Sequence, residues 1–147
     1  MVARSILVAT DFSQPSRRAL EWARLLRARL DAAILVAHVD ADPFAHTTLR
    51  DDAAKWQTDS ERGRRMEWLK SELNEQVDDL FGPDAQAVRQ VVVHGETVEA
   101  LIELALERDA DLLVVGASGK NAVDRLLLGS TTQELVQRSP IPVLTVH

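Results

Sequence analysis

The chain has 147 residues, 46% hydrophobic and 27% charged, the proportions of a globular protein rather than a disordered one. Lysine and arginine number 17 against 23 aspartates and glutamates, a formal charge of −6. That balance argues against gripping a nucleic-acid backbone, which rests on clustered positive charge. With no cysteine, disulfide frameworks, thiolate zinc sites and cysteine nucleophiles are all excluded.

The length suits one domain over residues 1–147. The longest apolar runs, Ala32–Ala37 and Leu112–Val115, fall far short of the ~20 residues that span a bilayer. Ile6–Ala9, cut off by Asp11, is too short for a signal-peptide core. The expectation is a cytoplasmic protein with no membrane partner.

In chain order, the first β-rich run is Ile6–Ala9. A helix is predicted from near Ser13, with Pro15 tolerated in its first turn and Ala19, Ala23, Leu26 and Leu30 as its apolar stripe, widened by Trp22 and Leu25. Ala33–Val39 is the second strand. Asp40–Asp59 reads as a polar loop, with a helical turn near Leu49–Trp56, and as the place for mobility or a partner. Met66, Leu69, Leu73, Val77 and Leu80 form the second helical stripe, ended by Gly82-Pro83, and Trp68 beside it is expected to pack. Val88–Val93 is the third strand. A third helix carries Val98, Leu101, Ile102 and Ala105, with Thr97 as its N-cap. Leu112–Val115 is the fourth strand, Ser130–Arg138 a short fourth helix burying Leu135 and Val136, and Val143–Val146 the last strand. Runs that are apolar throughout suit strands buried on both faces, so the alternation predicts a three-layer α/β domain with a mostly parallel sheet.

In such sheets ligands bind beyond the carboxyl ends of the strands. The first strand ends in Ala9-Thr10-Asp11 with no glycine, which counts against a dinucleotide fold, and no P-loop pattern occurs. Asp11 is either a turn or capping residue, or an acceptor for a ribose hydroxyl or base, or a magnesium ligand. The fourth strand runs into Gly116-Ala117-Ser118-Gly119-Lys120 and, nine residues after Gly119, Gly129-Ser130-Thr131-Thr132. N–H groups of Gly129–Thr132 at a helix start would form an anion site, with hydroxyls and the charges of Lys120 and Arg125 to assist. The alternative is a glycine turn with an ordinary serine cap.

Other groupings are weaker. His38 and His94 at strand ends suggest packed histidines before a metal pair. No G-x-S-x-G elbow supports a serine triad. Arg62, Arg64 and Arg65 read as a solvated helix face. Val143, Leu144 and Val146 make the last strand apolar on both faces, and such a strand at a sheet edge would invite pairing with another chain.

Ile6–Ser13, His38-Val39, Val93-His94-Gly95-Glu96, Ala110–Gly116, the stretch from Gly116 to Gly129-Ser130 and Pro140–Leu144 together resemble the universal stress protein family, in its ATP-binding branch with the G-x2-G-x9-G-(S/T) motif. Thr97 stands where many members carry proline. The resemblance implies a five-stranded parallel sheet in the order 3-2-1-4-5 with four helices, akin to the adenine-nucleotide alpha-hydrolases, and ATP between strands one and four. By position it implies Asp11 at the ribose or base, Ala9 and Thr10 lining the pocket, and the Val39 backbone at the adenine. Gly116, Ser118, Gly119 and Lys120 would border ribose and phosphates, and Gly129, Ser130, Thr131 and Thr132 would hold the phosphates. It also implies a homodimer through Val143–Val146. Magnesium or manganese is a candidate companion of the nucleotide, and the switch reading calls for a protein partner that the sequence does not identify.

The function expected is a nucleotide-dependent switch in stress response with slow ATP hydrolysis at most, because a metal clamp and a water-orienting base are not evident. Alternatives are a magnesium-dependent ATPase or adenylyl transferase, a nucleotide-independent dimeric scaffold, and a cyclic AMP binder.

Overall fold

The computed structural model describes residues 3–41, 59–117 and 128–147. Five strands, β1 (Ser5–Ala9), β2 (Ala33–Ala41), β3 (Val88–Gly95), β4 (Leu112–Gly116) and β5 (Val143–Val146), form one sheet in the order β3-β2-β1-β4-β5. Every neighbouring pair is parallel, with Ile6 beside both Ile34 and Leu112. Among the described residues four α-helices connect them: α1 (Gln14–Leu30), α2 (Asp59–Phe81), α3 (Thr97–Glu107) and α4 (Ser130–Arg138).

The strand period of two splits the core cleanly. Ile6, Val8, Ile34, Val36 and Val114 meet Ala19, Leu20 and Ala23 of α1 and Leu73 and Val77 of α2. Leu7, Leu35, Ala37, Leu113 and Val115 meet Val98, Leu101 and Ala105 of α3 and Leu135 of α4. Strands buried on both faces explain why the runs are apolar throughout rather than alternating.

Local chemistry sets the helix ends. Ser13 caps α1, its Oγ accepting from the Ser16 N–H at 3.4 Å, and Pro15 sits in the first turn as expected. Helix α2 buries Leu69, Leu73, Val77 and Phe81 and stops where Gly82 takes φ +53 ahead of Pro83. The cap of α3 is Glu96, whose carboxylate accepts from the Glu99 N–H at 2.8 Å, so Thr97 is the first helical residue and not the cap.

Three packing expectations are corrected. Trp22 and Leu25 are 51% and 52% exposed, because α1 seats itself on the sheet through the small Ala19 and Ala23 and its buried arc is narrow. Trp68 is also exposed, one residue before the buried stripe of α2 begins at Leu69. Val136 of α4 faces solvent while Leu135 is buried. Asp40 and Ala41, expected in a loop, are the last rungs of β2, opposite His94 and Gly95. The predicted turn near Leu49–Trp56 lies outside the described residues.

Candidate functional site

Strand order reverses at β1, so the carboxyl ends of β1 and β4 part from each other, and a cavity of about 270 Å³ opens there. Ala9, Thr10 and Asp11 line it from β1, Val39 from β2, and Val115 and Gly116 from β4. Gly129, Ser130, Thr131 and Thr132 line it from the start of α4. The cavity thus gathers nine of the twelve candidate residues. The other three, Ser118, Gly119 and Lys120, lie outside the described residues, as does Arg125.

Several of the candidates have a definite local job. Asp11 Oδ1 accepts from the Ser13 N–H at 3.0 Å, an Asx turn leading into α1. Burial pushes the Asp11 carboxyl up, but hydrogen bonds from the Ser13 hydroxyl and N–H and from Ser16 outweigh it and hold the carboxyl below its ordinary value. An ionised carboxylate has about four acceptor positions, so this turn leaves capacity for a ligand hydroxyl. Thr10 is buried, and its hydroxyl donates to Gln76 Oε1 of α2 at 2.7 Å and accepts from the Phe12 N–H at 3.1 Å. Its carbonyl accepts from His38 Nδ1 at 2.8 Å, so that nitrogen carries a proton. Phe12 itself sits at φ +63, a strained conformation for a bulky residue, with its ring tilted 34° against His38 at 4.6 Å. The loop holding Asp11 is therefore pinned to β2 and to α2.

The ladder between β1 and β2 ends abruptly. Ala37 O accepts from the Thr10 N–H at 2.9 Å, and in a parallel ladder the residue two further on, Val39, turns its peptide groups toward the same side. The Phe12 N–H, which would supply the next rung, goes to Thr10 Oγ1. Among the described residues no backbone hydrogen bond joins Val39 to the β1 chain, so its N–H and C=O present one donor and one acceptor along the cleft.

At the far end, α4 starts at Gly129 without a side-chain cap. The Gly129 N–H donates to Ala117 O at 2.7 Å, so the expected anion cradle contracts to the N–H groups of Ser130, Thr131 and Thr132. The Thr132 hydroxyl donates to Gly116 O at 2.9 Å; it ties α4 to β4 rather than serving as a ligand donor. Gly116 has a structural reason of its own: a Cβ there would lie 2.6 Å from Pro15 C and 2.7 Å from Ser16 N.

Sequence reasoning missed part of the lining. Ser13 and Ser16 line the cavity, and Thr97 and Leu101 of α3 do so on the side of Val39. The Ser13-x-x-Ser16 capping spacing was a legible signal for the first pair. Nothing local distinguished Thr97 and Leu101 from ordinary helix residues. The first turns of α1, α3 and α4 all border the cavity, and their dipoles favour an anion there.

The two histidines serve separate partners. His38 is engaged with Thr10, His94 Nδ1 lies 3.6 Å from Asp40 Oδ2, and the described residues contain no cluster of three potential ligands. Arg65, expected on a solvated face, instead places Nε and Nη2 at 2.9 and 2.7 Å from Asp40 Oδ1, locking α2 to the end of β2. Burial raises the Asp40 carboxyl, but Arg65 and the nearby His94 bring it below its ordinary value.

Both lowered carboxyls make the fold acid-sensitive. Each contributes stability that is complete above the unfolded carboxyl value and is lost as pH falls through the folded one, a window beginning below about pH 4. Asp40→Asn should cost about 1 kcal/mol at neutral pH, since Arg65 is half exposed, and should flatten the acid limb of stability against pH. Urea midpoints from pH 2 to 7 check this; an acid limb identical to wild type would refute it.

The sequence pattern of the universal stress protein family matches residues 3–147. A universal stress protein of Thermus aquaticus is 30% identical, with 98% of each chain covered. Universal stress protein Rv1636 of Mycobacterium tuberculosis is 31% identical over 98% of this chain and 96% of its own. Among solved structures, MJ0577 of Methanocaldococcus jannaschii shares the fold at TM-score 0.81 and 22% identity, covering 99% and 96% of the two chains. A universal stress protein in complex with cAMP superposes at TM-score 0.70, is 30% identical and covers 100% and 99%. No described helix is long and apolar enough to cross a membrane. With the family pattern running almost from end to end over the parallel 3-2-1-4-5 sheet, this chain belongs to the universal stress protein family.

Proposed function

We propose that the cavity binds an adenine nucleotide, ATP in the first instance, and that occupancy switches the protein between two surfaces in a cytoplasmic stress response. The observation that carries this is the pairing of two unlike ends in one cleft: the open donor and acceptor of Val39 at one side, the uncapped start of α4 at the other. A planar base with adjacent donor and acceptor suits the first, and phosphate oxygens suit the second. Asp11, between them in the strand order, is the acceptor for a ribose hydroxyl. The cAMP complex of a relative 30% identical supports an adenine ligand and favours cyclic AMP as the second reading.

The chemistry of the lining supports slow turnover. Asp11 is the one titratable side chain among the described cavity residues, and a carboxylate with a lowered pKa is a weak base for activating water. A magnesium or manganese ion would arrive on the phosphates, where it neutralises charge, with Asp11 as the carboxylate available to its water shell. The switch works through the pinned loop: a ligand that pulls on Asp11 also pulls on Thr10, and hence on Gln76 of α2. The unit that does this is the single domain 1–147, paired into a homodimer through β5.

Differential scanning fluorimetry and calorimetric titration with ATP, ADP, AMP, cyclic AMP and GTP test the proposal, after denaturation and mass spectrometry of any nucleotide that co-purifies. At 100 times its Kd a ligand adds about 2.7 kcal/mol, a rise in Tm on the order of 5–10 °C for a chain of this size. An adenine-selective rise is expected. No shift with any adenine nucleotide at millimolar concentration would leave the scaffold reading in its place, and a magnesium-dependent turnover well above ~1 per second would replace the switch by an enzyme.

A further inference from the structure

Two helices on opposite faces of the sheet carry complementary surfaces that nothing among the described residues joins. Helix α1 holds five arginines against one glutamate in a chain that is acidic overall. Arg17 turns to α2, where it meets Asp79 at 2.6 Å. The outward stripe is different: Arg18, Trp22, Leu25 and Arg29 follow one another at the i, i+4, i+7, i+11 spacing of one helix face. All four are exposed, and among the described residues Arg18 and Arg29 form no ion pair. An exposed tryptophan beside a leucine, flanked by unpaired arginines, has the composition of a contact surface.

Helix α3 is its counterpart. It carries Glu99, Glu103 and Glu107 and no basic residue, and its outer face sets the 56% exposed Leu106 among them. Glu99 lies 3.6 Å from Arg138 of α4, while Glu103 and Glu107 have no described partner. Because α1 packs on one face of the sheet and α3 on the other, the two surfaces cannot meet within one molecule.

We infer that the Arg18–Trp22–Leu25–Arg29 face of α1 docks on the Glu103–Leu106–Glu107 face of α3 in a second copy of this chain. Laid parallel, the helices bring Leu25 over Leu106 and Trp22 beside Glu103, with Arg18 at the Glu99–Glu103 end and Arg29 toward Glu107. At 1.5 Å per residue the arginines stand about 16 Å apart and the outer glutamates about 12 Å, a difference that flexible side chains absorb. The contact joins unlike surfaces, so it propagates from copy to copy rather than closing on itself as a two-fold pair does. A single helix pair buries less than a standard interface, so the association is weak and charge-dependent. It is independent of β5 pairing and of nucleotide binding.

Sedimentation velocity from micromolar to near-millimolar protein tests it, with two reversed variants, Arg18→Glu/Arg29→Glu and Glu103→Arg/Glu107→Arg. All four positions are exposed, and circular dichroism and Tm confirm that both variants fold. Wild type should grow in mass with concentration at low salt, weakening at least ~10-fold by half-molar salt. Each variant alone should stay at a constant smaller mass, and an equimolar mixture should regain assembly, because each variant then offers the surface that the other needs. Trp22→Ala should weaken assembly without altering its salt dependence. A wild-type mass independent of concentration and salt, assembly by a reversed variant alone, or a mixture that fails to recover would each overturn the inference.

Discussion

Gly116→Ala should lower Tm by roughly 10 °C, corresponding to a cost of about 3 kcal/mol. The added methyl would lie 2.6 Å from Pro15 C, 2.7 Å from Ser16 N and 2.9 Å from Pro15 Cβ. Two of these atoms are backbone, held by the Ser13 cap and by the Arg17 N–H donating to Ser13 O at 2.9 Å, so relief requires the first turn of α1 to lift from β4. That turn also positions Ser13, the donor to Asp11. The same substitution should therefore impair nucleotide binding under the proposed function, although Gly116 would touch the ligand only through its backbone. Gly63→Ala is the control: it lies exposed in α2 with nothing within 4 Å of its added methyl, and should stabilise by about 0.5–1 kcal/mol. Calorimetric scans of the two variants decide the matter, and a Gly116→Ala Tm close to wild type would show that α1 is not seated on β4 as described.

Thr131→Asp should move stability and binding in opposite directions. Thr131 is exposed in the first turn of α4, where no side chain caps the helix. A carboxylate there meets the positive end of the dipole and should raise the stability of the ligand-free protein by about 0.3–1 kcal/mol, or ~1–3 °C in Tm. The same charge occupies the place proposed for phosphate and should weaken ATP at least ~10-fold. Thr131→Asn, neutral and of similar size, should leave affinity within about threefold of wild type, since it adds no charge. Paired thermal scans and ATP titrations read both effects. Undiminished ATP affinity in Thr131→Asp would remove the phosphates from α4, whatever binds elsewhere in the cleft.

Much of the architecture was legible because its causes are local. Ile6–Ala9 and Leu112–Val115 read as buried strands since both faces are covered, and Ser13, Pro15 and Gly82-Pro83 mark helix ends by chemistry that acts over three or four residues. The errors arose where a residue's fate depends on something distant. A helical wheel shows that Trp22 neighbours Ala19, but the width of the buried arc depends on how closely α1 approaches the sheet. Arg65 was legible as a helix-surface arginine, while its partner Asp40 is 25 positions away on another element. At the site, the glycines were legible but their division of labour was not. Gly116 serves α1, the Gly129 N–H serves Ala117, and the Thr132 hydroxyl serves Gly116. Only the remaining N–H groups face the role that the motif suggested.

The missing rung at Val39 has a consequence for how this protein tolerates change. The donor and acceptor left open there belong to the main chain, and every amino acid except proline supplies both. A side-chain scan at position 39 would thus report on packing, since Val39 borders the second core cluster, and would be blind to recognition. What such an edge demands is only that β1 stop one residue early, a requirement carried by Thr10 and Phe12 rather than by the strand to which the proposal gives the contact. Under the proposed function, substitutions that alter selectivity would accumulate one strand away from the atoms that read the ligand, leaving β2 free to drift among apolar residues.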